Sequence, residues 1–205
     1  QSERDQDRVH ATYQLDVMAK GGGAGEIIHE RPFDVLLDNL RDPIQEVRRN
    51  ILWIVGNLAL QGYSYEVAES GILSEMTLRL DDQVELVRSA AAWSFAMITE
   101  AGQGIGVADS GAPIRCILLL QDASSDVQAC AALALDKIAF YASPEPVVRN
   151  GGVVALVNRL DVKDDGVRIC VLWALWSIAC RGYVDSLCDA ETLITNLKRC
   201  ALEKN

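Results

Sequence analysis

Histidine is nearly missing from this chain: His10 and His29 are the only two, both close to the N-terminal edge. The six cysteines, at 116, 130, 170, 180, 188 and 200, never fall in a C-x-x-C pair. Zinc sites need clustered thiolates or imidazoles, so these spacings offer no metal site. Without further histidines no nucleophile–base pair can be nominated either, and the scattered acidic residues sit in turns and helix starts, where capping and dipole effects account for them. The expectation is a non-enzymatic chain. No apolar run approaches the roughly 20 residues that a membrane-spanning helix needs. Basic residues are also in deficit, 19 Lys and Arg against 29 Asp and Glu, for a net charge of −10. That balance repels phosphate backbones and anionic lipid, which disfavours nucleic acid and direct membrane binding but permits a partner with basic segments. The glycine runs at 21–25 and 102–106 lack a preceding strand and the Lys-Ser or Lys-Thr ending of a phosphate loop, so no nucleotide cofactor is expected. Isolated cysteines read as small core residues in a reducing compartment, pointing to the cytoplasm.

What the chain does have is a ruler of forty residues. Trp53 steps to Trp93, Leu133 and Trp173, with Tyr13 one step earlier. Leu58 steps to Ile98, Ile138 and Ile178; Val47 to Val87, Val127 and Val167; Leu40 to Leu80, Leu120 and Leu160. Arg48, Arg88 and Arg168 share a column interrupted by Gln128. Gly71, Gly111 and Gly151 form another, and Gly22, Gly62, Gly102 and Gly182 a third, broken at Ala142. Fixed-period self-similarity of this length is the mark of a solenoid.

Within a unit, a short apolar segment and a second segment of about ten residues precede an Asp-rich turn and a long amphipathic segment. In the second unit Val84, Val87, Ala91, Phe95 and Ile98 recur at three and four residues, and Asp82 or a polar neighbour is the expected N-cap. The glycine at 62, 102 or 182 ends the long helix, where positive φ is wanted. Strand alternation is absent, so the fold class is all-α. The expected organisation is one domain over 1–205: an N-terminal partial repeat (1–26), repeats at 27–66, 67–106, 107–146 and 147–186, and a C-terminal partial repeat (187–205). Polar flanks at both ends suit either capped ends or the edges of a longer array.

The glycine before the second helix (SGILSEMTLRL, NGGVVALVNRL) and the third-helix motifs (VRRNILWIVGNLAL, VRSAAAWSFAMITE, VQACAALALDKIAF, VRICVLWALWSIAC) resemble the armadillo repeat, the unit of β-catenin and importin-α. The resemblance covers residues 9 to 200 and implies a right-handed α-solenoid whose third helices line a concave, peptide-binding groove. In importin-α a Trp and an Asn four residues later form a ladder that clamps an extended peptide. Here Trp53 with Asn57 matches, but Trp93 is followed by Met97, Leu133 by Lys137 and Trp173 by Ser177. An importin-like clamp is therefore incomplete. Adding the residues four before the column gives the expected groove: Arg49, Trp53, Asn57, Ser89, Trp93, Met97, Leu133, Lys137, Trp173 and Ser177, with Ala129 and Ile169 on the same stripe. A stripe mixing Trp with Arg, Ser, Asn and Lys reads as groove lining rather than core. Trp176 has no Trp counterpart and reads either as local packing or as a specific contact.

Two functions follow as expectations. One is a scaffold or adaptor that docks extended or helical segments of partner proteins. The other is a structural module that self-associates, and here the size resembles small armadillo-repeats-only adaptors, which are lipid-anchored and position organelles; such an anchor would lie upstream. Cys130 and Cys170, one step apart on stacked helices, are expected to be too distant for a disulfide. Cys180 and Cys188 flank a turn and are expected to be more exposed.

Overall fold

A computed structural model describes residues 3–183, and no strand occurs among them. The chain opens with a long helix, α1 (Glu3–Lys20), and then repeats a triad of two short helices and one long one. The triads are α2 (Ala24–His29), α3 (Phe33–Asn39) and α4 (Gln45–Leu58); α5 (Ser64–Glu69), α6 (Ile72–Arg79) and α7 (Glu85–Ile98); α8 (Gly104–Asp109), α9 (Ala112–Leu119) and α10 (Ser125–Lys137); and α11 (Glu145–Arg149), α12 (Gly152–Val157) and α13 (Asp165–Cys180). Unit boundaries expected at 27, 67 and 107 fall inside the first helices, which open about three residues earlier, directly after each glycine turn. The expected fifth partial repeat lies outside the described residues.

The period of forty is a layer spacing. Each long helix packs on the next, α1 on α4, α4 on α7, α7 on α10 and α10 on α13. Column mates therefore adjoin, and the apolar columns close into one core: Val47, Val87, Val127, Val167, Leu58, Ile98, Ile138 and Ile178 are all fully buried. A buried side chain of this size is worth about 2 kcal/mol of transfer free energy. No unit hides its own apolar face, so stability comes from stacking.

Glycine is required at two places per unit. Gly22, Gly62, Gly102 and Gly182 take φ of 91 to 103° where a long helix ends, and Gly71, Gly111 and Gly151 take φ of 77 to 86° just before a second helix. Each column has one exception, and the backbone responds differently to each. At Ala142 the turn does not go left-handed; Ser143 becomes extended and Pro144 opens the next helix. At position 31, one step before Gly71, Arg31 adopts φ 51°, the one non-glycine residue with positive φ among those described.

The Arg column forms staples between layers. Arg48 donates two hydrogen bonds to Asp82 at 2.9 Å each, and Arg88 two to Asp122 at 2.7 and 3.0 Å. The same guanidiniums hold their own unit's turn: Arg88 Nη1 reaches the Asp82 and Gln83 carbonyls at 2.8 and 3.1 Å. Arg8 pairs with Asp42 at 3.0 Å, one layer earlier. At the junction of the third and fourth units both partners change together: Gln128 replaces Arg, and Val162 stands where Asp42, Asp82 and Asp122 stand. Gln128 keeps only the bond within its own unit, to the Asp122 carbonyl at 2.6 Å. Asp82 or a polar neighbour was expected as the N-cap; the cap position is instead Val84, and Asp82 accepts the Val84 N–H at 3.0 Å and holds the turn before α7. Asp164 does cap its helix, accepting from Val167 at 3.0 Å.

Candidate functional site

A long helix buried by neighbours on several sides leaves a single strip for solvent. Between Val87 and Thr99, α7 has only Arg88, Ser89 and Trp93 outside the buried class, and α4 repeats this with Arg48, Arg49 and Trp53 between Val47 and Ala59. With Arg48 and Arg88 committed to the staples, Arg49, Trp53, Ser89 and Trp93 remain as the open surface. The strip continues over α10 through Ala129, Leu133 and Lys137, and over α13 through Ile169 and Trp173. Register is held by contacts offset by about one unit, such as Ser94 Oγ donating to the Leu52 carbonyl at 2.7 Å.

Three of the ten expected groove residues are not on that surface. Asn57, Met97 and Ser177 are buried. Their column faces the preceding layer at the residue one place before that layer's own member of the column: Asn57 donates its amide to Asp16 at 3.1 Å, and Ser177 donates its hydroxyl to Asp136. Asn57 thus matches the importin-type pair in spacing while its amide is spent on an interlayer bond. A buried or half-buried carboxylate in one layer is matched by a donor in the next, so Asn57 answers Asp16 and Ser177 answers Asp136. Where the facing residue is Gly56 or Ala96, the next layer carries Met97 or Lys137.

The open residues differ in what already surrounds them. Trp53 lies between two cations of its own chain, Lys20 at 4.9 Å and Arg49 at 4.8 Å from the ring centre. Trp93 packs over Gly56, so closely that a Cβ there would meet Trp93 Cζ3 at 2.7 Å. Lys137 pairs with Glu100 at 3.0 Å and sits 5.6 Å over Tyr141. Burial alone would lower the Lys137 pKa, but the hydrogen bond and charge of Glu100 outweigh it, so the ammonium is held more firmly charged. Trp173 is the most open, 55% exposed, and forms an aromatic cluster with residues that sequence reasoning did not place on the surface. Trp176 meets it edge-on at 5.6 Å and stacks with Phe140 at 6.0 Å. The column Lys20, Leu60, Glu100, Phe140, Cys180 is exposed throughout, and its two charged members were the available signal that Phe140 faces water.

The expectation that the cysteines are core holds fully only for Cys116, whose thiol burial pushes up to about 12. Cys130 and Cys170 are free and half-buried, and desolvation followed by the neighbouring Cys170 raises Cys130 to about 11. Cys180 is exposed; Cys188 and Cys200 lie outside the described residues. Asp136 is raised from the usual carboxylate range, by burial first, with Ser177 and Lys137 opposing and Glu100 adding to the rise. Among the described residues no group of His, Cys, Asp or Glu is placed to hold a metal ion, and no helix is long and apolar enough to cross a membrane.

No protein-family model matches the chain, and no curated protein matches it. Solved structures do. A designed armadillo repeat protein in complex with the peptide (KR)4 superposes with a TM-score of 0.76 at 25% identity, over 98% of this chain and 94% of that one. A second designed armadillo repeat protein gives 0.76 at 24% identity with the same coverage. A computationally designed one made for modular peptide recognition gives 0.73 at 23% identity, over 98% and 94%. The chain is thus an all-α solenoid with the armadillo-repeat fold.

Proposed function

We propose that this chain is a non-enzymatic scaffold that docks extended segments of partner proteins along the strip formed by its long helices. The observation that carries the reading is the open column Trp53, Trp93, Leu133 and Trp173, flanked by Arg49, Ser89 and Lys137, on long helices whose other residues are mostly buried. Large aromatics on a rigid, preformed surface are where binding energy concentrates, because little has to be ordered on association. The similarity to a designed repeat protein that holds the peptide (KR)4 supports a peptide as occupant, and the net charge of −10 favours a segment carrying basic residues. Trp53 is already shared by two cations, so the anchor positions are Trp93 and Trp173. Asn57, Met97 and Ser177 act indirectly, by setting the spacing between layers. Unpaired thiols among the described residues suit a reducing compartment such as the cytoplasm.

The test is selection of displayed random peptides on the wild-type chain, followed by affinity measurement on variants. Trp93→Ala should weaken selected peptides by a hot-spot amount, on the order of 2 kcal/mol. Peptides that bind both Trp93→Ala and Trp173→Ala as tightly as wild type would place the binding surface elsewhere. A second reading, self-association, is favoured by the large apolar residues Ile169, Leu172, Trp173 and Trp176, all exposed on α13.

A further inference from the structure

Three ion pairs join the second unit to the third among the described residues: Arg88 with Asp122 at 2.7 Å, Arg115 with Asp81 at 2.7 Å, and Lys137 with Glu100 at 3.0 Å. One period on, the same positions hold Gln128 with Val162, Ala155 with Gln121, and Ser177 with Phe140. Every charge has gone. The two junctions before these keep the pair of the Arg column, Arg8 with Asp42 and Arg48 with Asp82. The covalent link changes at the same place: α4 and α7 end in a left-handed glycine, whereas α10 runs on into extended Ser143 and then Pro144.

Apolar packing crosses this junction as it does the others, since Val127, Val167, Ile138 and Ile178 are all fully buried. The polar bonds that cross it are of a weaker kind. Arg159 donates to the Gln121 amide oxygen at 2.9 Å and Arg181 to the Ala142 carbonyl at 3.1 Å, both in exposed positions where water competes. Ser177 donates to Asp136, a carboxylate whose charged form burial disfavours. Phe140 stacks with Trp176, but both rings are exposed. None of these replaces a shielded guanidinium–carboxylate pair such as Arg88 with Asp122.

We infer that this junction is the joint of the molecule: α1 to α10 form a block riveted by ion pairs, and the fourth unit, α11 to α13, opens and closes against it as one body. In a stack where each layer touches only its neighbours, the least-bonded interface opens first and whatever lies beyond it moves together. The strip crosses the joint between Leu133 and Trp173. Resting on the reading that the strip docks peptides, a segment that reaches from Trp93 to Trp173 holds the joint closed, and one that stops at Leu133 leaves it free. Molecules with the joint open lower the apparent affinity of the long segment only, because only that segment needs both sides in place.

Native-state hydrogen exchange on the full chain tests the joint without any ligand. Amides of α12 and α13 should open together, about tenfold or more as readily as those of α4, α7 and α10. Transplanting a staple separates a joint from simple fraying of α13. Val162→Asp alone should make opening easier, and adding Gln128→Arg should reverse this by about tenfold or more, the scale of a charge-assisted pair, with α4 and α7 unchanged. Protection of α12 and α13 equal to that of α7, exchange of the two helices at unrelated rates, or no response to the second substitution would each overturn the joint. Peptides selected on the strip then test the link to docking. Those weakened by Trp173→Ala should slow exchange in α13, and those weakened by Trp93→Ala alone should not; equal slowing by both kinds would sink the link. Failure to select any strip-binding peptide would count against the docking reading and leave the exchange result to decide the joint.

Discussion

Replacing Arg88 by Gln removes one staple and leaves its partner behind. Arg88 makes two bonds to Asp122 in the next layer and two to carbonyls of its own turn. Glutamine can keep one of the latter, as Gln128 does at 2.6 Å, but nothing then reaches the Asp122 carboxylate from the preceding layer. Asp122 is 8% and Arg88 18% exposed at the side chain, so solvent restores only part of the loss. Charge-assisted bonds contribute roughly 1.5–3 kcal/mol, and breaking a fully buried ion pair costs about 3–5 kcal/mol. For this partly shielded pair we expect Arg88→Gln to cost about 2–3 kcal/mol. The protein contains its own control, because the junction with Gln128 and Val162 lacks both partners. The double variant Arg88→Gln/Asp122→Val should therefore recover most of the loss. Its remaining deficit is the bond that Asp122 accepts from Ser124 at 2.9 Å, worth about 1 kcal/mol. Urea unfolding followed by far-UV circular dichroism, on wild type, both single variants and the double, measures the coupling, expected at about 2 kcal/mol. A cost for Arg88→Gln within the ~0.5 kcal/mol of an ordinary surface change would refute the staple. A double variant no more stable than the sum of the singles would refute it equally.

Other outcomes follow from the same geometry. Arg31→Gly should stabilise the chain by about 1 kcal/mol in thermal or urea unfolding, since it removes an L-residue from left-handed backbone at φ 51°; a destabilisation would mean that the arginine side chain repays the strain. Asp82 and Asp122 are depressed below the usual carboxylate value, because hydrogen bonds and charge from Arg48 and Arg88, with the backbone bonds from Val84 and Ser124, outweigh burial. Their stabilising contribution is present above the unfolded value of 3.8 and is lost as pH falls through the depressed folded value, so acid titration of stability should flatten there in Arg88→Gln. Asp136 works in the opposite sense: raised by burial, it takes stability away as pH climbs from 3.8 through its folded value. Asp136→Asn, which can still accept from Ser177, should be more stable than wild type at neutral pH and lose that advantage in acid. Equal gains at both pH values would remove charge as the cause.

The strip and the interlayer contacts differed in how far they could be read from residues alone. Trp53, Trp93 and Trp173 stand whole periods of forty apart, and a period that long has one physical use, stacking, so their alignment was legible. Asn57 was not: four residues after a tryptophan it had the right spacing for a peptide clamp. Its commitment to Asp16 depends on a residue 41 positions earlier that comes into contact only when two layers close. Gln128 looked like an exception in an arginine column until Val162 was seen across the junction, where the acid is missing as well.

Periodicity by itself determined the helical class, the layer spacing, the buried columns and the glycine turns, because each follows from local backbone preference or from an apolar face that every unit must hide against its neighbours. Only the folded molecule decided which of the polar and aromatic residues between those columns face water. That outcome depends on the side chain opposite, contributed by another layer. Trp176 is the clearest instance: its column holds Asp16, Gly56, Ala96 and Asp136 in the earlier layers, and only the packing around α13 leaves the indole half exposed, stacked on Phe140 and edge-on to Trp173.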